Sequence, residues 1–401
     1  MSSAISTALR RAFEDAAPTV RVTCEELAVW LRDHYYQGYE PSDLRSAPSF
    51  QKPFFKQPGI SHLIDYLSEH SGRRARKFLS VPLSYTPTTL ALALGACAEL
   101  YPFDPGVLPT IIVLRGELLR LRHPSEKEYC WGDEYDDRFA RDLNAPVFKP
   151  DTFVSYLCGS AMMTLAEKVR DESAVAVAES VGRYFITRLN RSVDESDEMC
   201  FSTSPDDQEK IFHKSALVGS FLARLWQWNR NDEYLELAVR AMNFLRNAQL
   251  ATGMWYYGLG EEKRNINAIH TSYNVIAMND YRFYSGDRNF DDTIFNGNEA
   301  FKRVFFETDG KPKMFVHRLY PVDVRACSQA IEHFSAMMKD DIDAPDRAIS
   351  ILQWTLQNMR NPDNSFAYRK YATGTQRMAY VAWGQAHMFY AMSRLRTAFA
   401  L

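Results

Sequence analysis

From about residue 80 onward one unit keeps returning, and this repetition constrains the fold more than any other feature of the chain. Each unit is a short polar-aromatic segment, a turn, and an apolar helix whose first turn carries polar residues. Six such helices start near Thr86, Asp151, His213, His270, Asp323 and Trp383, at intervals of about 53 to 65 residues. A period of that length marks a chain of helical hairpins, each unable to bury its apolar face alone. More amphipathic helices are predicted between them. One carries Leu235, Leu237, Ala238, Met242, Phe244 and Leu245, and another Ile349, Leu352, Trp354 and Leu356, both close to the helical spacing of apolar residues. The apolar helices then form an inner ring and the amphipathic ones an outer ring facing water.

The fold class expected is therefore all-α, an (α/α)6 toroid, with an open superhelix of hairpins as the alternative. One domain is expected over residues 1–401, with 1–80 as a helical lead-in. Strand signals are confined to short aromatic runs, GMWYYG, NSFAYRK and KMFVHRLY, read as loops or short β-ribbons at one rim.

Composition narrows the class further. Hydrophobic residues make up 46% and charged residues 24%, which excludes wholesale disorder. A formal net charge of -3 argues against a nucleic-acid protein held by a basic surface. The six cysteines are scattered without a CxxC pair, which fits reduced, buried thiols rather than a disulfide framework or a zinc site. The first residues lack the apolar core of a signal peptide, and no apolar stretch approaches the roughly 20 residues that span a bilayer. The chain is read as cytoplasmic with no transmembrane segment. Peripheral association with a membrane biosynthetic complex stays open. There is no GxGxxG, Walker A, HExxH or GxSxG pattern, so no nucleotide, zinc-protease or serine-hydrolase site is expected. No cofactor and no metal are expected either, because the spacing in the acidic loop matches no standard metal-binding loop.

A ring of hairpins gathers the N-termini of its inner helices at one mouth, where free N–H groups and positive dipole ends favour anions and polar ligands. This places His213, His270, Tyr273, Asp323, Arg325, Trp383 and Gln385 around one opening. The preceding loops add Trp131, Asp133, Asp136 and Asp137, then Trp255 and Tyr257, then His317, Arg318 and Tyr320. Aromatic faces stack on sugar C–H groups, polar groups read hydroxyls, and Arg pairs with an acidic sugar, so the set suits a saccharide. Each residue also has a structural reading. Asp323 suits an N-cap, the acidic loop suits a solvated turn, and Trp255 and Tyr257 suit rim packing.

Taken in order, Tyr35–Leu44, Cys130–Phe139, Cys200–Ser220, Gly253–Gly258, Ile269–Asn274, Asp309–Asp323, Phe366–Lys370 and Ala382–Met392 resemble a family of bacterial six-hairpin-glycosidase-like proteins found with polysaccharide-biosynthesis functions. The family pattern begins with Gly-Tyr-Asp-Pro-Tyr-Asp, where this chain has Gly38 to Asp43 as Gly-Tyr-Glu-Pro-Ser-Asp. In the Cys130–Phe139 stretch Asp133 replaces a tyrosine, and Asp137 stands where an aromatic would be. The resemblance implies a toroid and a link to cell-surface glycans, and it identifies no reaction.

The leading expectation is a carbohydrate-active enzyme of glycoside hydrolase type. Its substrate would be an oligosaccharide, a polysaccharide or an activated-sugar intermediate of surface polysaccharide assembly. Hydrolysis needs two carboxylates flanking the glycosidic oxygen, expected as Asp133 or Asp136 with Asp323. Uronate elimination or epimerisation is the alternative, with His270 and Tyr273 moving the proton and Arg318 or Arg325 clamping the carboxylate. A glycan-binding or scaffold protein is the rival from another class, motivated by the aromatics missing around Asp133. Trp131, His213, Trp255, Tyr257, His317, Arg318, Tyr320, Arg325, Trp383 and Gln385 are the expected substrate contacts.

Overall fold

The structure is a computed structural model, and it describes residues 3–50, 52–136, 138 and 146–400. The helices are α1 (Ser3–Asp33), α2 (Pro58–His70), α3 (Arg73–Phe78), α4 (Pro87–Leu100), α5 (Leu108–Arg120), α6 (Thr152–Lys168) and α7 (Glu172–Arg188). They continue as α8 (Phe212–Asn229), α9 (Asp232–Asn247), α10 (Ala268–Ser285), α11 (Asp291–Val304), α12 (Val324–Met337), α13 (Ala344–Met359) and α14 (His387–Phe399). A π-helical turn, Val381–Ala386, leads directly into α14.

The inner ring is α4, α6, α8, α10, α12 and α14, each packed on the next, and α14 returns to α4 to close the circle. Closure decides against the open superhelix. Helices α5, α7, α9, α11 and α13 pack outside their inner partners. The sixth outer position is filled from the other end of the chain, because α1 packs on α14 and against α13. Part of the segment expected as a lead-in therefore completes the outer ring. Trp30 donates its indole N–H to Asp363 at 3.4 Å, and Glu26 pairs with Arg360, fastening α1 there.

Burial follows the apolar pattern. Every residue of α4 is buried, whereas α9 buries one face only, through Tyr234, Leu237, Ala238, Ala241, Met242, Phe244 and Leu245. Each fully buried Leu or Phe contributes about 1.5–3 kcal/mol relative to exposure. Close approach between the rings needs small residues. A Cβ on Gly219 of α8 would meet the Ala241 Cβ and the Met242 Cε of α9, each at 2.9 Å. All six cysteines are free and buried.

Strands are few and short. β1 (Arg191–Asp194) and β2 (Met199–Phe201) form an antiparallel hairpin that the aromatic runs did not signal. β3 (Val322–Asp323), β4 (Arg369–Tyr371) and β5 (Gly374–Gln376) form a three-stranded antiparallel ribbon, with Asp323 opposite Arg369. β4 overlaps the end of the expected NSFAYRK run, sharing Arg369 and Lys370 with it. Among the described residues the other two runs contribute only isolated bridges, Ile211 with Gly258, Asn267 with Phe315 and Phe315 with Arg318.

Candidate active site

The first turns of all six inner elements meet around one cavity of about 920 Å³. Thr88 comes from α4, Asp151 caps α6, His213 and Lys214 open α8, His270 and Tyr273 lie in α10, Arg325 opens α12, and Trp383 comes from the π-turn. The segment between α1 and α4 walls the cavity from outside the ring, through Glu40, Phe50, Phe55 and Ile64 among others.

One side of the cavity is carboxylate-rich. The Ala382 and Trp383 N–H groups, at the open N-terminus of the π-turn, donate to Glu40 Oε1 and Oε2 at 2.6 and 3.3 Å. The neighbouring inner helix is met in the same way, since the Thr88 N–H donates to Asp133 Oδ1 at 3.2 Å. Gly132 makes this loop path available. A Cβ there would lie 1.7 Å from the Lys149 carbonyl oxygen, so only glycine fits beside Asp133. Among the described residues neither carboxylate has an ion-pair partner. Burial pushes Glu40 up to about 8, against the pull of its two N–H donors, and the Asp133 charge adds to the rise. Burial likewise pushes Asp133 up to about 6. Asp151 differs, because Lys214 Nζ neutralises it at 2.7 Å.

The other side is aromatic and basic. The rings of His213 and His270 stack with centroids 4.3 Å apart and planes 13° from parallel. Tyr257 lies 4.6 Å from His270, and Tyr273 lies 6.0 Å from His213. Asn267 caps α10, accepting the His270 N–H at 3.0 Å, and its amide nitrogen donates to His270 Nδ1 at 2.7 Å. That bond leaves the ring proton on Nε2. Burial, with the Arg325 and Lys214 charges nearby, holds His270 down at about 3. His213 is held well below its ordinary value, by burial first and then by His270. Both imidazoles are therefore neutral at pH 7. The Arg325 guanidinium lies over the Trp383 ring at 4.1 Å.

Of the residues singled out from sequence, the structure brings Asp133, His213, Tyr257, His270, Tyr273, Arg325 and Trp383 to this cavity. The others are placed elsewhere. Asp136 is buried between His123 and Arg138, whose guanidinium reaches Oδ2 at 2.6 Å and holds the carboxyl well below the usual carboxylate range. Asp323 is the N-cap of α12, accepting the Arg325 N–H at 3.0 Å, and its second oxygen binds Arg369 at 2.9 Å. The expected pairing of Asp323 with Asp133 or Asp136 is accordingly revised, because neither Asp323 nor Asp136 lines the cavity. Trp131 and Trp255 are buried, with indole N–H groups donating to the Leu118 and Leu245 carbonyls at 2.8 Å each. Gln385 bonds both backbone groups of Phe366, at 2.8 and 2.9 Å. His317 and Arg318 are exposed and Tyr320 half-buried on a rim loop outside the cavity lining. Asp137 lies outside the described residues.

Glu40 is the residue that sequence reasoning passed over. Its signal was present in the Gly38–Asp43 motif, but nothing local shows that this loop reaches the far end of the chain. Among the described residues no group of three or more His, Cys, Asp or Glu side chains is arranged to hold a metal ion.

By sequence the chain matches no family model and no curated protein. By structure it is similar to the cellobiose 2-epimerase of Spirochaeta thermophila, at 13% identity and TM-score 0.61, covering 96% of this chain and 98% of that one. It is also similar to the cellobiose 2-epimerase of Bacillus thermoamylovorans, at 10% identity and TM-score 0.62, covering 79% and 88%. A GH76 alpha-mannanase of Bacteroides thetaiotaomicron matches at 9% identity and TM-score 0.60, covering 79% and 86%. At such identities the likeness establishes the fold alone, an (α/α)6 toroid.

Proposed function

We propose that this protein is a carbohydrate-active enzyme of glycoside hydrolase type, with Glu40 as general acid and Asp133 as its partner carboxylate. The observation that carries the reading is the pair itself. Two carboxylates, neither ion-paired among the described residues, share one cavity, and their environments separate their proton affinities. Near pH 7 Glu40 keeps its proton and Asp133 is ionised. Glu40 gives its proton to the leaving glycosidic oxygen as the bond from that oxygen to the anomeric carbon breaks. A water molecule supplies the new C–O bond, and Asp133 accepts the water proton. The His213–His270 stack, Tyr257 and Trp383 offer flat faces for sugar rings, and Arg325 offers a cation for an acidic substituent. The similar structures, two cellobiose 2-epimerases and an alpha-mannanase, support a sugar substrate without choosing a reaction. The substrate class is an oligosaccharide, polysaccharide or activated sugar, and its place in surface polysaccharide assembly within the cytoplasm belongs to the same proposal.

A second reading draws on the other wall. Two stacked neutral imidazoles beside Tyr273 and Arg325 suit proton transfer at a sugar carbon, as epimerisation or uronate elimination requires. Mass spectrometry separates the readings. Acidic and neutral oligosaccharides and lipid-linked intermediates are incubated with the protein in ordinary and in deuterated water. Hydrolysis gives fragments that together gain one water. Elimination gives an unsaturated fragment without that gain, and epimerisation gives a one-dalton deuterium gain at constant length. Binding without turnover of any compound would favour the non-catalytic rival.

A further inference from the structure

The segment that walls the cavity has an inverted helix. α2 turns Ile64 and Ser68 inward, with Ser61, Ile64 and Asp65 facing the cavity. Its outward face is Leu63, Tyr66, Leu67 and His70, all exposed, at helical spacing. An exposed face is ordinarily polar, so this one lacks an occupant. Nearby, Phe54 is 60% exposed and Phe78, at the end of α3, is 88% exposed.

Charge on this segment is as one-sided as its apolarity. Residues 52–83 hold six Lys or Arg against two Asp or Glu, in a chain whose net charge is -3. Both carboxylates are neutralised within the fold, Asp65 by Arg45 and Glu69 by Arg369. Arg76 is buried, bound to Asp43 at 2.8 Å and to the Ser68 carbonyl at 2.8 Å, which ties α3 to the end of α2. Arg73, Arg74 and Lys77 remain exposed beside Phe78. Among the described residues of 52–83 no exposed side chain is acidic.

We infer that the outer face of α2 and α3 docks on an anionic lipid bilayer. Exposed aromatic and leucine side chains enter the interfacial layer while adjacent cations pair with anionic headgroups, the combination that holds peripheral helices on membranes. A protein partner would need no such exclusion of acidic groups. The cavity then lies on the face of α2 opposite the bilayer.

The test is co-sedimentation of the full chain with vesicles. One set contains phosphatidylglycerol and phosphatidylethanolamine, and the other only phosphatidylcholine. Wild type is expected to sediment with the anionic set alone and to be released by salt. Arg73→Glu with Arg74→Glu and Lys77→Glu should weaken partitioning roughly a hundredfold. Tyr66→Ser with Phe78→Ser should weaken it at least about tenfold. Circular dichroism confirms that each variant is folded. The inference is overturned if folded wild type stays in the supernatant with anionic vesicles, or if neither variant changes its partitioning. It is also overturned if wild type self-associates in sedimentation velocity and the variants abolish this, since a second copy would then cover the face. No readout here depends on turnover, so this inference and the hydrolase reading fail separately.

Discussion

Glu40 and Asp133 cap two adjacent inner elements from outside them. Glu40 accepts the N–H groups of Ala382 and Trp383, and Asp133 accepts that of Thr88. A carboxylate at a helix N-terminus is common as a local cap. These two arrive from distant loops and line a cavity, and among the described residues neither has an ion-pair partner. The proposed chemistry rests on that difference.

The same arrangement costs stability at neutral and alkaline pH. Glu40 is held up at about 8 in the folded protein, above its ordinary value. Its contribution is therefore fully present below the unfolded pKa and is lost as the pH rises through about 8. Glu40→Gln keeps one acceptor for the capping N–H groups and cannot ionise. Its melting temperature relative to wild type should rise between pH 5 and pH 8.5, by about 2 °C or more. Thermal melts across that range check the sign, and a constant difference would contradict it.

Turnover should follow a bell with limbs near 6 and 8. Asp133 must be ionised, which sets the acidic limb, and Glu40 must be protonated, which sets the alkaline one. Profiles of kcat/KM in the free enzyme read these groups. Asp133→Asn should abolish most activity and, in whatever remains, the acidic limb.

Asp323 should behave as a structural residue. It caps α12 and binds Arg369 across the β3–β4 pairing. Arg369 is half-buried and keeps Glu69 as a partner, so the loss falls chiefly on the N-cap, at a cost of about 1–2 kcal/mol. Asp323→Ala is expected to lower the midpoint of urea unfolding while kcat of the folded fraction changes less than about tenfold.

Arg325 should select for acidic sugars. Its guanidinium is held over Trp383 at 4.1 Å and lines the cavity. Arg325→Gln should weaken binding of a uronate-bearing oligosaccharide by roughly tenfold to a hundredfold, the worth of a charge-assisted hydrogen bond. Binding of the neutral counterpart should change little. Calorimetric titration of the matched pair reads the difference, and equal losses would contradict the assignment.

The toroid was legible because its signal is local and repeated. Polar first turns at Thr86, Asp151, His213, His270, Asp323 and Trp383 fall within two residues or so of the observed inner-element starts, and burial of α4 follows its unbroken apolar run. The role of α1 was not legible, since the twelfth helix precedes the repeat and reaches α14 only through ring closure. In the site, helix-borne residues such as His213, His270 and Tyr273 came together because the repeat fixes their position. Loop residues did not follow that logic. Trp131 and Trp255 are turned inward by their indole hydrogen bonds, and Glu40 enters through contacts with Ala382 and Trp383 that sequence spacing does not encode.

The most direct test of the carboxylate pair is isotope transfer from water labelled with oxygen-18. Oligosaccharides turned over by the wild type are incubated with it, with Glu40→Gln and with Asp133→Asn, and the products are weighed. The account predicts one labelled oxygen per cleaved bond in wild type, with each variant slower by about 10²–10⁴-fold. Products of unchanged length carrying solvent hydrogen at a sugar carbon, formed equally well by Glu40→Gln, would contradict it.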